Sequence, residues 1–363
     1  MTDTTDVRAG EELDRENLIE YLHSELSEPG GEIVIEQFPA GSSNLTYLIK
    51  LGSGEYVLRR PPFGNAVKTA HDMRREYVVL SKLSAVYSPA PKPLLLCEDE
   101  AVIGSEFYLM ERRRGVIVRN RISARQLPPE SADLGLRFES DEAYRTEVCR
   151  TFVRNMAELH AIDPKTAGLD EIGRPEGYNR RQVEGWSKRY LAAKTHEWPK
   201  LEEAIAWLKA NVPPESSVSI IHNDYKFDNI MLDPHDLTRV TAVLDWEMAT
   251  IGDPLMDLGT TLGYWISTNA GDEMLSMPFN PRVLMESISR RQLADMYAEA
   301  SGRDLPDLLF YYVFGTFKIA VIAQQIYVRF IKGFTKDQRF ARFDRFVSEL
   351  GSIASRALYR GRI

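Results

Sequence analysis

The sequence predicts an α+β protein of two lobes, a small β-rich lobe over residues 1–110 and a larger, mainly helical lobe over 111–363. Three observations predict it. The chain has 363 residues, and single hydrophobic cores stop growing near ~250 to 300 residues. Its first third alternates short runs of β-formers with turn residues. The remainder carries apolar residues at helical spacing, broken by one polar island. With 44% hydrophobic and 27% charged residues, the composition is that of a folded chain and too apolar for disorder.

The elements follow in order. Residues 11–26 predict an opening helix, with Leu13, Leu18, Ile19, Leu22 and Leu26 at helical spacing and Pro29-Gly30-Gly31 as its stop. Strands are expected at 33–38, 45–51 and 56–59, the last two joined across Gly52-Ser53-Gly54. Met73, Tyr77, Leu80 and Leu83 mark a single helix, and strands at 94–97 and 107–110 close the lobe. Residues 112–140 read as irregular and Arg-rich. Helices are expected at 142–161, 180–194, 200–211, 255–267, 281–300 and 305–330. Two short β-like runs, 218–222 and 240–244, bracket the polar island.

Charge and cysteine usage exclude several classes. Lys and Arg total 45 against 53 Asp and Glu, a net charge of −8, which argues against a nucleic-acid binder. Cys97 and Cys149 lack any C-x-x-C spacing, so neither a disulfide framework nor a zinc site is indicated and a reducing compartment fits. The N-terminal residues are acidic and polar where a secretory signal needs a basic start and an apolar stretch. The most apolar helical stretch, 314–330, is interrupted by Lys318, Gln324 and Gln325 and falls short of the ~20 apolar residues of a membrane span. A cytoplasmic protein with no membrane partner is expected, and the oligomeric state is not legible.

The polar island holds the chemistry. It runs Ile221-His222-Asn223-Asp224-Tyr225-Lys226-Phe227-Asp228-Asn229, then Val243-Leu244-Asp245-Trp246-Glu247, then Gly252-Asp253-Pro254-Leu255-Met256-Asp257. An Asp and an Asn stand five apart, with a second Asp sixteen residues on at the end of an apolar strand. Phosphoryl transfer needs such parts: a carboxylate to orient and deprotonate an attacking hydroxyl, and hard oxygen donors to hold Mg²⁺ against a triphosphate.

These motifs resemble those of the aminoglycoside phosphotransferase family, small-molecule kinases with a protein-kinase-like two-lobe fold, and the resemblance spans nearly the whole chain. It implies Asp224 as catalytic base, Asn229 and Asp245 as Mg²⁺ ligands, and Lys226 as a basic group near the transferred phosphate. It implies His222 as a structural brace and Asp257 as a pin on the catalytic loop. His160 in Met156-Ala157-Glu158-Leu159-His160 echoes a family helix ending and reads as structural.

In the first lobe, Ala40-Gly41-Ser42-Ser43-Asn44 resembles the family's nucleotide-binding loop, whose Gly41, Ser42, Ser43 and Asn44 would approach phosphates; an ordinary hairpin is the alternative. Arg59, closing Tyr56-Val57-Leu58-Arg59, stands where the family places a phosphate-clamping Lys, and Glu76 stands at its ion-pair partner. Arg brings a planar fork in place of a point charge. A surface salt bridge is the other reading of this pair. Met110, Glu111 and Arg112 match the adenine-binding hinge, with Met110 reading equally as plain core.

The resemblance therefore implies an ATP- and Mg²⁺-dependent enzyme that phosphorylates a small-molecule hydroxyl acceptor. Arg112, Arg113, Arg114, Arg119, Arg121, Arg174, Arg180, Arg181, Lys188 and Arg189 make the candidate acceptor region basic, which favours an anionic acceptor. Gly177-Tyr178-Asn179-Arg180-Arg181-Gln182-Val183-Glu184-Gly185-Trp186 resembles the branch of the family associated with acyl-CoA dehydrogenases, implying a hydroxyacyl-CoA. An aminoglycoside or choline-like alcohol is one alternative, and a nucleotide-binding pseudokinase without turnover is another.

Overall fold

The structure, a computed structural model, describes residues 3–26, 31–39, 44–63, 72–119, 122, 126–266, 270, 274, 281–335 and 337–363. It forms two compact units. The first comprises Met1–Arg114 with Thr241–Glu247, and the second Gly115–Val240 with Met248–Ile363. The division thus falls four residues beyond the expected boundary at 110, and a short later segment groups with the first unit.

In the first unit, α1 (Arg15–Glu25) precedes β1 (Ile33–Gln37), β2 (Leu45–Leu51) and β3 (Gly54–Arg60); α2 (Met73–Leu83), β4 (Pro93–Cys97), α3 (Glu100–Ile103) and β5 (Phe107–Glu111) follow. The five strands form one antiparallel sheet in the order β1-β2-β3-β5-β4. The β2–β3 hairpin turns at Gly52, whose φ of +57° suits a residue without Cβ. Alternation along β2 and β3 sends Tyr47, Ile49 and Leu58 into a core with Leu18 and Leu22 of α1. Asp72 caps α2 by accepting the Arg75 amide at 2.8 Å, which starts the helix at Met73, three residues before Glu76.

The second unit opens with β6 (Val116–Ile117) and α4 (Ala132–Ser140), so part of the stretch expected to be irregular is ordered. Then come α5 (Glu142–Ala161), α6 (Tyr178–Ala193), α7 (Pro199–Ala210), β7 (Ser219–Ile221), β8 (Ile230–Asp233), β9 (Asp236–Val243), β10 (Thr250–Gly252) and α8 (Pro254–Tyr264). The helix expected over 281–300 is broken in two, Arg282–Ser287 and Arg290–Ser301. Ser289 forms a capping box with Gln292 and begins the second piece. Helices Leu308–Ile331 and Phe343–Arg360 complete the unit.

Helix Leu308–Ile331 packs most extensively against α8 and the C-terminal helix. At 24 residues it is long and apolar enough to cross a membrane, contrary to the shorter stretch expected, yet 78% of its most apolar window is buried within the protein. It is the core helix of its unit.

Candidate active site

In the second unit the loop begins where β7 ends, with Ile221 paired to Thr250 of β10. Asn223 then turns the chain with a left-handed φ of +67°, a conformation costly for a residue carrying a Cβ. Asp257, in the first turn of α8, accepts the amides of His222 at 2.7 Å and Asn223 at 2.8 Å. That helix starts at the right place because Asp253 caps it and Pro254 occupies its first position.

His160 Nε2 lies 3.2 Å from the Asp257 carboxylate, and its Nδ1 lies 2.7 Å from the Tyr297 hydroxyl. Burial alone would raise the Asp257 carboxyl, but His160 and then His222 outweigh it and hold it below the ordinary range. His222 is fully buried and accepts the Asp224 amide at Nδ1, 3.2 Å away. The pin and the brace implied by the motif are both in place.

Asp224 has both oxygens engaged. Oδ1 accepts the Tyr264 hydroxyl at 2.7 Å; Oδ2 accepts Lys226 Nζ, and Asn229 Nδ2 at 3.0 Å. Burial pushes its pKa up, yet the Lys226 charge, the Tyr264 hydroxyl and His222 more than offset this and keep it below the usual carboxylate range. At neutral pH it is therefore an anion that only accepts, the state able to orient and receive a hydroxyl proton. Lys226 is its direct charge partner and sits 5.1 Å over the Tyr264 ring. Asn229 spends its amide hydrogens on Asp224, also reaching the main-chain oxygen at 2.9 Å. Its side-chain oxygen has no hydrogen-bond partner among the described residues and remains a hard donor for a cation.

In the first unit, Arg59 Nη2 lies 2.9 Å from Asp245 Oδ1 and 3.4 Å from Glu76 Oε1. Arg59 and Glu76 are buried, so the pair is no surface salt bridge. Burial disfavours the Arg59 cation, but Glu76, Asp245 and Glu247 together keep it firmly charged, while burial drives the Glu76 carboxyl upward against the pull of Arg59. Asp245 has a left-handed φ of +68°. Its segment is tied down by the Val243 amide on Pro89 at 2.8 Å and by Trp246 edge-on to Tyr87. Arg59 Nε is buried without a partner, a donor available to an anionic ligand.

Within the first unit the unpartnered Arg59 Nε suits an anionic group, and the carboxylate of Asp245 and, in the second unit, the carboxamide oxygen of Asn229 are donors of the kind a hard cation takes.

Several of the other expected residues have partners of their own. Asn44 is buried and donates to Glu247 at 3.0 Å, so its amide secures the segment after Asp245; Gly41, Ser42 and Ser43 lie outside the described residues. The Glu111 amide donates to Lys92 at 2.9 Å and is not a free adenine donor, while Met110 is buried in β5. Arg112 is committed to Glu55 at 2.7 Å and Asp3 at 2.6 Å, with Arg114 on the same Glu55. Arg113 binds Glu111, Arg119 binds Asp228, and Arg181 folds onto the carbonyls of Glu176 and Arg174. Arg121 lies outside the described residues. Four of the ten expected basic residues are thus paired with carboxylates. Arg189 remains, stacked 4.4 Å over Trp186, with Arg180 and Lys188 exposed on α6.

Two residues of the site escape sequence reading. Tyr264 reads as one more aromatic at the end of an apolar helix. Lys318 reads as an interruption of an apolar helix, although a lone lysine in such a run is itself the signal of a buried role.

The two units carry the protein-kinase-like fold of the small-molecule kinases. Over 95% of this chain and 99% of its own, a Ralstonia eutropha JMP134 structure described provisionally as an aminoglycoside phosphotransferase superposes with a TM-score of 0.74 at 30% identity. The aminoglycoside phosphotransferase APH(4)-Ia, in a thermostable mutant's ternary complex with AMP-PNP and hygromycin B, shares the fold at a TM-score of 0.60 and 16% identity, covering 94% of this chain and 98% of that one. The chain belongs to the phosphotransferase enzyme family, whose model matches residues 34–306. It is also 34% identical over 96% of its length to acyl-CoA dehydrogenase family member 11 of Gallus gallus, covering 44% of that protein. The human protein of the same name is 33% identical over 92% of this chain, which covers 41% of it. The chain therefore spans less than half the length of the curated relatives it matches.

Proposed function

We propose that the protein transfers the γ-phosphoryl group of ATP to a hydroxyl of a small molecule, with Asp224 as the base. The observation that carries this reading is the ionised Asp224 held by Tyr264, Lys226 and Asn229. Bound Mg·ATP would supply the phosphoryl group and the neutralisation of its charge. Arg59 binds phosphate oxygens through its fork, and Asn229 and Asp245 offer oxygen donors to the cation. Lys226 balances the Asp224 carboxylate while the acceptor hydroxyl replaces the Tyr264 hydroxyl or shares its place on Oδ1. Orientation, more than basicity, is what this transfer asks of the protein.

For the acceptor we propose an anionic alcohol such as a hydroxyacyl-CoA. Support comes from relatives named for acyl-CoA dehydrogenases that match over nine-tenths of this chain, and from Arg189, Arg180 and Lys188 on α6. Buried, unpaired Cys97 and Cys149 support a reducing, cytoplasmic setting. The test is ADP formation with Mg·ATP across hydroxyacyl-CoAs, aminoglycosides and choline-like alcohols. A hydroxyacyl-CoA supporting turnover that falls about tenfold or more in kcat/KM with Arg189→Ala is expected. Turnover with polycations alone would return the acceptor to the antibiotic class.

One observation favours the pseudokinase reading: Arg59 already occupies an oxygen of Asp245. No ADP formation with any acceptor, alongside nucleotide binding, would establish it.

A further inference from the structure

We propose that Lys318 is a positioning residue: from inside the Leu308–Ile331 helix it holds the main chain of Asn223 in its left-handed turn and thereby fixes Asp224. The inference rests on the reading of Asp224 as the catalytic base. Lys318 is 1% exposed, and an ammonium buried in an apolar core is costly unless its hydrogens are used. No carboxylate of the described residues pairs with it directly. Its Nζ donates instead to the Asn223 carbonyl at 2.5 Å, with the side-chain oxygen of Asn223 at 3.4 Å, and it faces the Trp186 ring at 5.6 Å.

Every other polar group of Asn223 is already taken. Its amide goes to Asp257, and its side chain bonds Tyr178 and the Met248 carbonyl. The carbonyl is the atom joined to Asp224 by a peptide bond, so anchoring it sets where the Asp224 side chain starts. Without that anchor, a residue at φ +67° relaxes toward negative φ.

The two anchors come from helices whose separation is fixed. A Cβ on Gly315 would sit 2.1 Å from the Gly259 carbonyl oxygen, and one on Gly259 would sit 2.2 Å from that of Tyr311. Helix α8, bearing Asp257, therefore touches the Lys318 helix backbone to backbone. Burial pushes the Lys318 pKa down to about 8, against the pull of Asp224 and Asp257 and together with Lys226 and Arg189, so it is still largely an ammonium at pH 7. The longest helix of the unit thus reaches the residue before Asp224 through one hydrogen bond.

The test uses the full chain. Lys318→Met should lower kcat about 10- to 100-fold with the KM for ATP within about twofold. Glycine adopts positive φ without strain, so the same change should cost less than about threefold when made in an Asn223→Gly background. Equal losses in both backgrounds would overturn the proposal. If Lys318→Met does not fold, Lys318→Gln is read by the same criteria. A crystal structure of the variant separates this inference from the functional reading: a flipped 223–224 peptide with displaced Asp224 supports it even without an acceptor. An unchanged turn refutes it.

Discussion

The two charged clusters differ in how completely they are satisfied. Around Asp224, in the second unit, each carboxylate oxygen has a donor and the loop is tied to α5, α8 and the Leu308–Ile331 helix through Asn155, Asp257, Thr261 and Lys318. Around Asp245, in the first unit, Arg59 bridges two carboxylates yet keeps an unpartnered Nε, and Glu76 keeps an unpartnered Oε2. Both regions hold a non-glycine residue at left-handed φ, Asn223 and Asp245. The Asp224 carboxylate is thus preorganised by the fold, whereas the Arg59 cluster retains unpartnered polar atoms.

If that contrast is sound, changes in the two regions fail differently. Asp257→Ala is expected to give the largest effect. It strips His160 of its carboxylate and orphans two buried amides, costing about 3 to 5 kcal/mol of stability along with turnover, read by chemical denaturation. Asp245→Ala should cost less stability than Asp257→Ala, because Arg59 keeps Glu76 as a partner, and should abolish thermal protection by Mg·ATP, worth ~2.7 kcal/mol at a hundredfold excess over Kd. Persistence of that protection would place the cation elsewhere.

The smallest effect concerns pH. Asp257 and Asp224 titrate below their ordinary range in the folded protein. Their stability contribution is therefore present above the unfolded value of ~3.9 and is lost as pH falls through the lower folded values. Melting temperature should be insensitive to these groups from pH 7 to 5 and fall below about pH 4. Asp257→Asn should fall less steeply there. A gain in melting temperature as pH falls from 6 to 5 that vanishes in Asp257→Asn would show its pKa to be raised.

Much of this was legible in the sequence because local patterns decide it. Strands β2 and β5 and helix α5 follow from β-former runs and helical periodicity, and the hold of Asp257 and His222 on the loop was implied by the resemblance of the two motifs that carry them. What was not legible depends on contacts distant in sequence. The break at Ile288-Ser289 is made by a capping box inside a run that keeps its apolar period. The arginines at 112–119 read as a free anion clamp, but Glu55, Asp3, Glu111 and Asp228 neutralise them. Tyr264 and Lys318 carry no motif, and only packing of α8 on the Leu308–Ile331 helix brings them to the loop.

Asp224→Asn separates the proposed base from the nucleotide site, with ADP release and nucleotide affinity measured on the same preparation. Turnover should fall by about 10² to 10⁴ with Mg·ATP affinity near wild type. Turnover equal to wild type would contradict that role for Asp224.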